Sequence, residues 1–133
     1  MTLIIISSFV SILIIGLVTL LRRYKGFVDR HNFAFEYREK FIQFTNKYFE
    51  SYDNWNRRGN IDSELYVWLT KNVNKIQGDL GHLGTMHYVA PFQIYQISNY
   101  QIIINTIPKF RNGKIEEFDI IRLMIVYLDT LAF

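Results

Sequence analysis

The residues best suited to bind a ligand are three cations near the C-terminal end of the chain, Lys109, Arg111 and Lys114. An Asn-Gly pair between them predicts a tight turn. The acidic stretch 116–119 then predicts the first turn of a helix, where negative side chains are favoured. Cations beside a helix N-terminus suit a phosphate group or a nucleotide. The simpler interpretation is a solvated polar turn that faces the cytoplasm or lipid headgroups.

Patterns typical of a catalytic or metal site do not occur in the sequence. It has no cysteine, which excludes thiol nucleophiles and zinc–thiolate centres. His82 and His87 lie five residues apart in a glycine-rich stretch, whereas a helical zinc site places two histidines four apart with an HExxH-type glutamate. Phosphate-binding glycine loops and the G-x-S-x-G nucleophile motif are also missing. We therefore expect neither an enzyme nor a bound cofactor or metal.

The dominant feature of the chain is an uncharged run from Thr2 to Leu21, TLIIISSFVSILIIGLVTLL. At about 1.5 Å per residue, a helix of this length is roughly 30 Å long, close to the thickness of a bilayer's hydrocarbon core. Apolar residues surround the whole helix, unlike the single stripe of a core helix. A cleaved signal peptide usually has a positive charge before its apolar segment and small residues at its cleavage site, and neither is present. Residues 1–21 are therefore predicted to be a transmembrane anchor.

A basic cluster, Arg22, Arg23 and Lys25, follows the anchor in the predicted juxtamembrane segment 22–28. Because cations favour the cytoplasmic side of the cell membrane, we expect the N-terminus outside and the remaining chain in the cytoplasm. The chain has 15 Lys and Arg against 12 Asp and Glu, so this cluster accounts for the whole net charge of +3. Anionic lipid headgroups are its expected partner, at ~1 kcal/mol per cation. The balanced remainder does not indicate a nucleic-acid-binding protein.

Two serines in the anchor, Ser7 and Ser11, lie about one helical turn apart. Small residues at this spacing let two membrane helices approach closely, which makes this face a candidate helix–helix contact. The alternative is that the hydroxyl groups bond only the backbone of their own helix.

Residues 29–133 are predicted to form one small cytoplasmic domain. The predicted fold class is all-α, with a single transmembrane helix followed by a bundle of about four helices. Apolar residues at steps of three and four predict the first domain helix over 29–58 and the second from a cap at Asp62 or Ser63 to position 80. The apolar faces supply the predicted core, Phe41, Phe44, Tyr48, Leu65, Leu69, Ile76, Ile103, Leu123 and Tyr127.

The second half of the domain is less regular. Three closely spaced glycines predict a loop over 78–91. A third helix is predicted over 92–107, with Pro108 ending it, although the repeated isoleucines are also compatible with a strand. A fourth helix is predicted over about 116–131, either at the centre of the bundle or buried against another chain.

These features predict a membrane-anchored interaction or assembly module, whose domain binds a protein partner or a second copy of the chain. The alternative hypothesis is a membrane-anchored sensor or effector, in which a small phosphate-bearing ligand binds the basic turn formed by Lys109, Arg111 and Lys114.

Overall fold

The structure is a computed structural model and is mostly helical. Its described residues form two compact units, Met1–Asn32 and Phe33–Phe133. Those residues contain three α-helices and one two-stranded sheet. The prediction of an all-α fold, in which an anchor is followed by a bundle of about four helices, is therefore wrong in helix count and did not include the sheet. The structure describes residues 2–53, 55, 59–89, 94, 96–113, 121, 124–125 and 128–129.

The elements follow one another as helix, helix, hairpin and helix. Helix α1 spans Thr2–Glu50, and helix α2 spans Glu64–Leu80, followed by a 3₁₀ turn at Gly81–Gly84. Strands β1 and β2 cover Thr85–Val89 and Gln96–Gln101, and helix α3 covers Ile102–Asn112.

Helix α1 replaces the two separate helices that the sequence predicted over 1–21 and 29–58. The intervening residues 22–28 are helical, and the helix ends at Glu50 because the chain turns back on itself there. Ser51 Oγ donates to the carbonyl of Lys47 and accepts from the backbone N–H of Asn60 at 2.8 Å. Glu36 and Lys40, four residues apart on α1, form an ion pair with 2.7 Å between Lys40 Nζ and Glu36 Oε1.

In the part of the chain that the structure describes, one helix is long and apolar enough to cross a membrane. It lies near the N-terminus, and none of its most apolar window is buried. A signal sequence meets the same criteria of length and composition, so this finding by itself is weak evidence for a membrane span.

Helix α2 begins where the sequence predicted. Ser63 is the N-cap, and its hydroxyl accepts a hydrogen bond from the backbone N–H of Tyr66 at 3.2 Å. The helix ends at Gly81, whose φ of 54° lies in the left-handed region that glycine adopts without strain.

The predicted third helix over 92–107 is wrong for its described N-terminal half, which is strand β2. Strand β2 pairs with β1 in antiparallel register, Met86 opposite Tyr100 and Val89 opposite Gln96. The rings of Tyr88 and Tyr100 stack across the pair at 4.9 Å. Because β1 lies in the stretch predicted to be a loop, the partner that makes this segment a strand is not apparent from local periodicity.

Helix α3 begins ten residues later than predicted and includes Pro108. A proline inside a helix removes one hydrogen bond and costs about 3 kcal/mol. Burial of Ile107 and Phe110 on either side offsets this cost, since both side chains are almost completely enclosed. Gly113 ends the helix in the left-handed conformation, as the Asn-Gly pair suggests.

One core cluster joins α1, α2 and α3, and aromatic rings from all three helices meet in it. The ring of Phe44 contacts the rings of Tyr48, Tyr66 and Phe110 at centroid distances of 5.0–5.8 Å. Leu65 is only partly buried. The predicted core residues that are fully buried are Phe41, Phe44, Tyr48, Leu69, Ile76 and Ile103.

Most of the predicted fourth helix, including Leu123 and Tyr127, lies outside the described residues. Its described positions are helical, and Ile121, Met124 and Leu128 are buried in the core cluster of the chain itself.

Candidate functional site

The basic cluster at the end of the apolar run lies on the surface of α1. Arg22, Arg23 and Lys25 are all exposed. Among the described residues no ion pair involves them. Their charges are therefore available to a partner outside the chain.

Ser7 and Ser11 are exposed on the apolar part of α1, one turn apart. Ser11 Oγ donates to the backbone carbonyl of Ser7 at 2.9 Å. The donor of this hydroxyl is thus already satisfied within the helix. The helix–helix contact through this face stays a prediction.

The predicted basic turn is largely the C-terminal end of α3. Lys109 and Arg111 belong to its last turn, where cations complement the negative end of the helix dipole. Lys109 is partly buried and interacts with other groups, whereas Arg111 is exposed. Lys114 and the acidic stretch 116–119 lie outside the described residues. The two described cations therefore lie beside helix carbonyl groups, which do not favour an anion.

Arg111 nevertheless lines an open groove of about 950 Å³. The groove lies beside the start of α2, and Lys71 contributes a second cation to it. Asp62 and Glu64 line the same groove, so its charge is balanced. Its apolar lining includes Val67, whose side chain is 65% exposed. A surface of this composition suits a protein segment better than a highly charged phosphate.

The two histidines of the glycine-rich stretch are both exposed but belong to different elements. His82 is in the 3₁₀ turn, and His87 is on β1. Within the described residues no group of three or more His, Cys, Asp or Glu could hold a metal ion.

Gln77 holds the backbone on both sides of the hairpin, a role that the sequence did not predict. Its side chain is almost completely buried, with Nε2 donating to the carbonyl of Gly84 at 2.8 Å. Its Oε1 accepts from the backbone N–H of Ile103 at 3.0 Å, one of the N–H groups at the start of α3 that has no partner within the helix. Its position between Ile76 and Leu80, on the apolar side of α2, is the sequence feature that could have indicated a buried amide.

A long-range ion pair joins α1 to the C-terminal end of the chain. Arg38 Nε donates to a carboxylate oxygen of Asp129, and its Nη1 donates to Glu39 at 2.7 Å. The hydrogen bond to Asp129 raises the pKa of Arg38 above its usual range.

Tyr37 of α1 is completely buried, and its hydroxyl group contacts α2. The hydroxyl of Tyr37 donates to the carbonyl of Leu69 at 3.2 Å, and burial raises the pKa of Tyr37 well above its ordinary value. The corresponding hydroxyls of Tyr48 and Tyr66 donate to the carbonyls of Phe110 and Ile107, both at 3.4 Å. These bonds attach α3 to the other two helices.

Comparison with family models, with curated proteins and with solved structures gives no match for this chain.

Proposed function

We propose that this chain is a single-pass membrane protein whose N-terminal helix anchors a cytoplasmic interaction domain. The observation that carries the proposal is the exposure of apolar surface at the start of α1. Between Ile6 and Leu21 the large apolar side chains are 42–67% exposed. Leaving such surface in water costs about 25 cal/mol per Å². A continuous exposed apolar surface of this kind requires a covering of lipid or protein.

The proposed orientation follows from the charges beside the apolar run. Arg22, Arg23 and Lys25 are on the C-terminal side, and their exposure leaves them available at a membrane surface. Cations on this side favour retention of the C-terminal part of the chain in the cytoplasm. The core helix of a soluble protein is the less favoured interpretation, because the apolar window of α1 has no burial in the described structure.

The interaction surface that we propose is the groove beside the start of α2. Val67 lines it with an exposed side chain, and Trp55 and Ile94 elsewhere on the domain are 96% and 75% exposed. Exposed aromatic and aliphatic side chains bordered by charges are typical of protein-binding surfaces. A protein partner or a second copy of this chain would bury them.

Single-cysteine labelling tests the anchor and its orientation, because the natural sequence contains no cysteine. In intact cells, a membrane-impermeant maleimide should label Thr2→Cys but label Asn112→Cys only after permeabilisation. Retention of the chain in the membrane pellet at alkaline pH is expected for both variants. Labelling of Asn112→Cys in intact cells would contradict the orientation, and release from the pellet would contradict the anchor.

The interaction role is tested by the mass of the full chain, measured by light scattering in detergent and after crosslinking in cells. Val67→Glu should abolish assemblies that the natural chain forms, because it places a charge in the groove. Asn74→Glu is the matched control, since Asn74 is an exposed residue of the same helix outside the groove lining. Equal assembly of both variants would contradict a role for the groove.

A second candidate function is binding of a phosphate-bearing ligand in the same groove, favoured by the presence of Lys71 and Arg111 in its lining. It ranks second because Asp62 and Glu64 oppose an anion there. This function predicts a thermal shift with ATP or inorganic phosphate that is lost in Lys71→Ala/Arg111→Ala. No shift with either ligand would contradict it.

A further inference from the structure

Three arginines surround Gly26 on the part of α1 that follows the apolar run. Arg22 and Arg23 precede Gly26 by four and three residues, and Arg30 follows it by four, so all three flank it on one helix face. Their side chains are exposed. Apart from the adjoining backbone of the helix, no atom lies within 4 Å of the position that a Cβ at Gly26 would occupy. The arginines therefore border an open patch of backbone.

The side chain of Arg30 is directed back along the helix. Its Nε donates to the carbonyl of Gly26 at 3.3 Å. This bond places the guanidinium group on the side of Arg30 that faces the apolar run, consistent with the tilt of helical side chains toward the N-terminus. The positive charge of Arg30 is thus directed toward Gly26, as part of one group with the charges of Arg22 and Arg23.

The position of Gly26 along the helix matches the depth of lipid phosphates, provided that the proposed membrane anchor is correct. Gly26 lies five residues after Leu21, which corresponds to about 7.5 Å along the helix axis. The headgroup layer on each side of the hydrocarbon core is roughly 5–8 Å thick. If Leu21 marks the edge of the core, Gly26 lies within the headgroup layer, toward its outer side, and Arg22 and Arg23 lie deeper in it.

The neighbouring residues leave the three arginines as the main positive group. Asp29 follows Gly26 by three residues and Arg22 by seven, so it lies on the same side of the helix and offsets one of the three positive charges. Tyr24 and Phe27 are 68% and 66% exposed, as expected for aromatic side chains at a membrane interface. In the described chain the ion pairs do not include any of the three arginines.

We propose that Arg22, Arg23 and Arg30 form a binding site for the phosphate of an anionic phospholipid, seated over Gly26. Guanidinium groups bind phosphate oxygens through paired N–H donors, which gives them an advantage over a point charge. A zwitterionic headgroup carries its own cation beside the phosphate, so the site should prefer a lipid with net negative charge. Such lipids are concentrated in the cytoplasmic leaflet.

The test uses the full chain in phosphatidylcholine bilayers that contain spin-labelled phosphatidylserine or spin-labelled phosphatidylcholine. The relative association of the two labelled lipids with the protein is measured by electron spin resonance. The natural chain should prefer phosphatidylserine by at least about fivefold, the ratio that corresponds to the roughly 1 kcal/mol of a single cation near the surface. This preference should fall to near one in Arg22→Gln/Arg23→Gln/Arg30→Gln.

The matched control is Lys40→Gln/Lys47→Gln/Lys75→Gln, which removes three cations of the Phe33–Phe133 unit that do not line the groove. Both triple variants lower the net charge from +3 to 0. The control should keep the lipid preference of the natural chain. An equal loss of preference in both triple variants would overturn the site in favour of a general effect of net charge.

Gly26→Leu separates a defined site from a diffuse positive surface. It keeps every cation, and a Cβ at this position meets no atom within 4 Å beyond the adjoining backbone of the helix. The proposal predicts at least a twofold loss of preference, because the leucine occupies the place of the phosphate; unchanged preference would overturn the site. Failure of the natural chain to remain in pure phosphatidylcholine bilayers at alkaline pH would instead overturn the proposed anchor, a result that the lipid comparison does not produce.

Discussion

The side-chain oxygen of Gln77 accepts a hydrogen bond from the backbone N–H of Ile103 at 3.0 Å, which connects α2 to the first turn of α3. The amide nitrogen of the same side chain donates a hydrogen bond to the carbonyl of Gly84 at 2.8 Å. One buried amide therefore satisfies a donor and an acceptor from the two ends of the hairpin region. Gly84 must remain without a side chain here, because a Cβ would lie 2.5 Å from Gln77 Nε2.

Gln77→Leu should lower the free energy of unfolding by about 2–4 kcal/mol, since it leaves two buried backbone groups without partners. Thermal and urea unfolding of the full chain in detergent measure the change. Gln43→Leu is the control, because Gln43 is exposed on α1 and should change stability by less than about 0.5 kcal/mol. Equal stability of the two variants would contradict the role of Gln77.

Gly59→Ala and Gly78→Ala should change stability in opposite directions. A Cβ at Gly59 would lie 2.9 Å from the carbonyl carbon of Tyr48 and closer still to its oxygen, so the chain must shift; we expect a loss of roughly 2 kcal/mol or more. Gly78 is in α2 with open space around it, so alanine should add about 0.5–1 kcal/mol. Midpoints of thermal unfolding give both signs, and stabilisation by Gly59→Ala would contradict the close approach.

The ion pair between Arg38 and Asp129 should contribute about 0.5–1 kcal/mol, a value limited by solvent because the Asp129 side chain is 38% exposed. A double-mutant cycle with Arg38→Gln and Asp129→Asn measures this coupling. This coupling free energy should decrease as NaCl is raised from about 0.05 to about 1 M, because salt screens the interaction between exposed charges. A coupling of zero at low salt would show that the pair does not hold the C-terminal segment against α1.

Stability should fall above about pH 10 in part through Tyr37. Because burial raises the pKa of Tyr37 in the folded chain, the unfolded chain loses this proton first. The stability from this group is present below its ordinary pKa and is lost as pH rises, by up to ~1.4 kcal/mol per pH unit. Tyr37→Phe should therefore show a shallower decline between about pH 9 and 11. Identical declines in both proteins would contradict this effect.

Leu13→Arg should reduce retention of the chain in membranes, because an arginine near the centre of a bilayer costs about 2.5–3.5 kcal/mol on insertion scales. Leu83→Arg is the control, since Leu83 is 48% exposed and belongs to the 3₁₀ turn of the other unit. The fraction of chain in the pellet after alkaline extraction gives the comparison. Equal retention of the two variants would argue that the apolar run lies outside the bilayer.

The regular helical patterns were predictable from the sequence, whereas the hairpin was not. The three- and four-residue spacing of Phe41, Phe44 and Tyr48 places their side chains on one face of a helix whatever surrounds it, and all three are buried. The segment 96–101 has no comparable local preference. It becomes a strand because Thr85–Val89 lies beside it, and that pairing depends on a partner strand outside the segment itself.

The candidate sites also divide into those that local sequence predicts and those that only the folded structure reveals. The sequence by itself determined the uncharged run before Arg22, the serine cap of α2 and much of the aromatic core, because each depends on neighbouring residues along one helix. Only the tertiary structure decided that Arg111 shares a groove with Lys71, that Gln77 joins α2 to α3, and that Arg38 meets Asp129. These pairs depend on how separate elements pack, and packing is determined by the burial of the whole core rather than by local residue spacing.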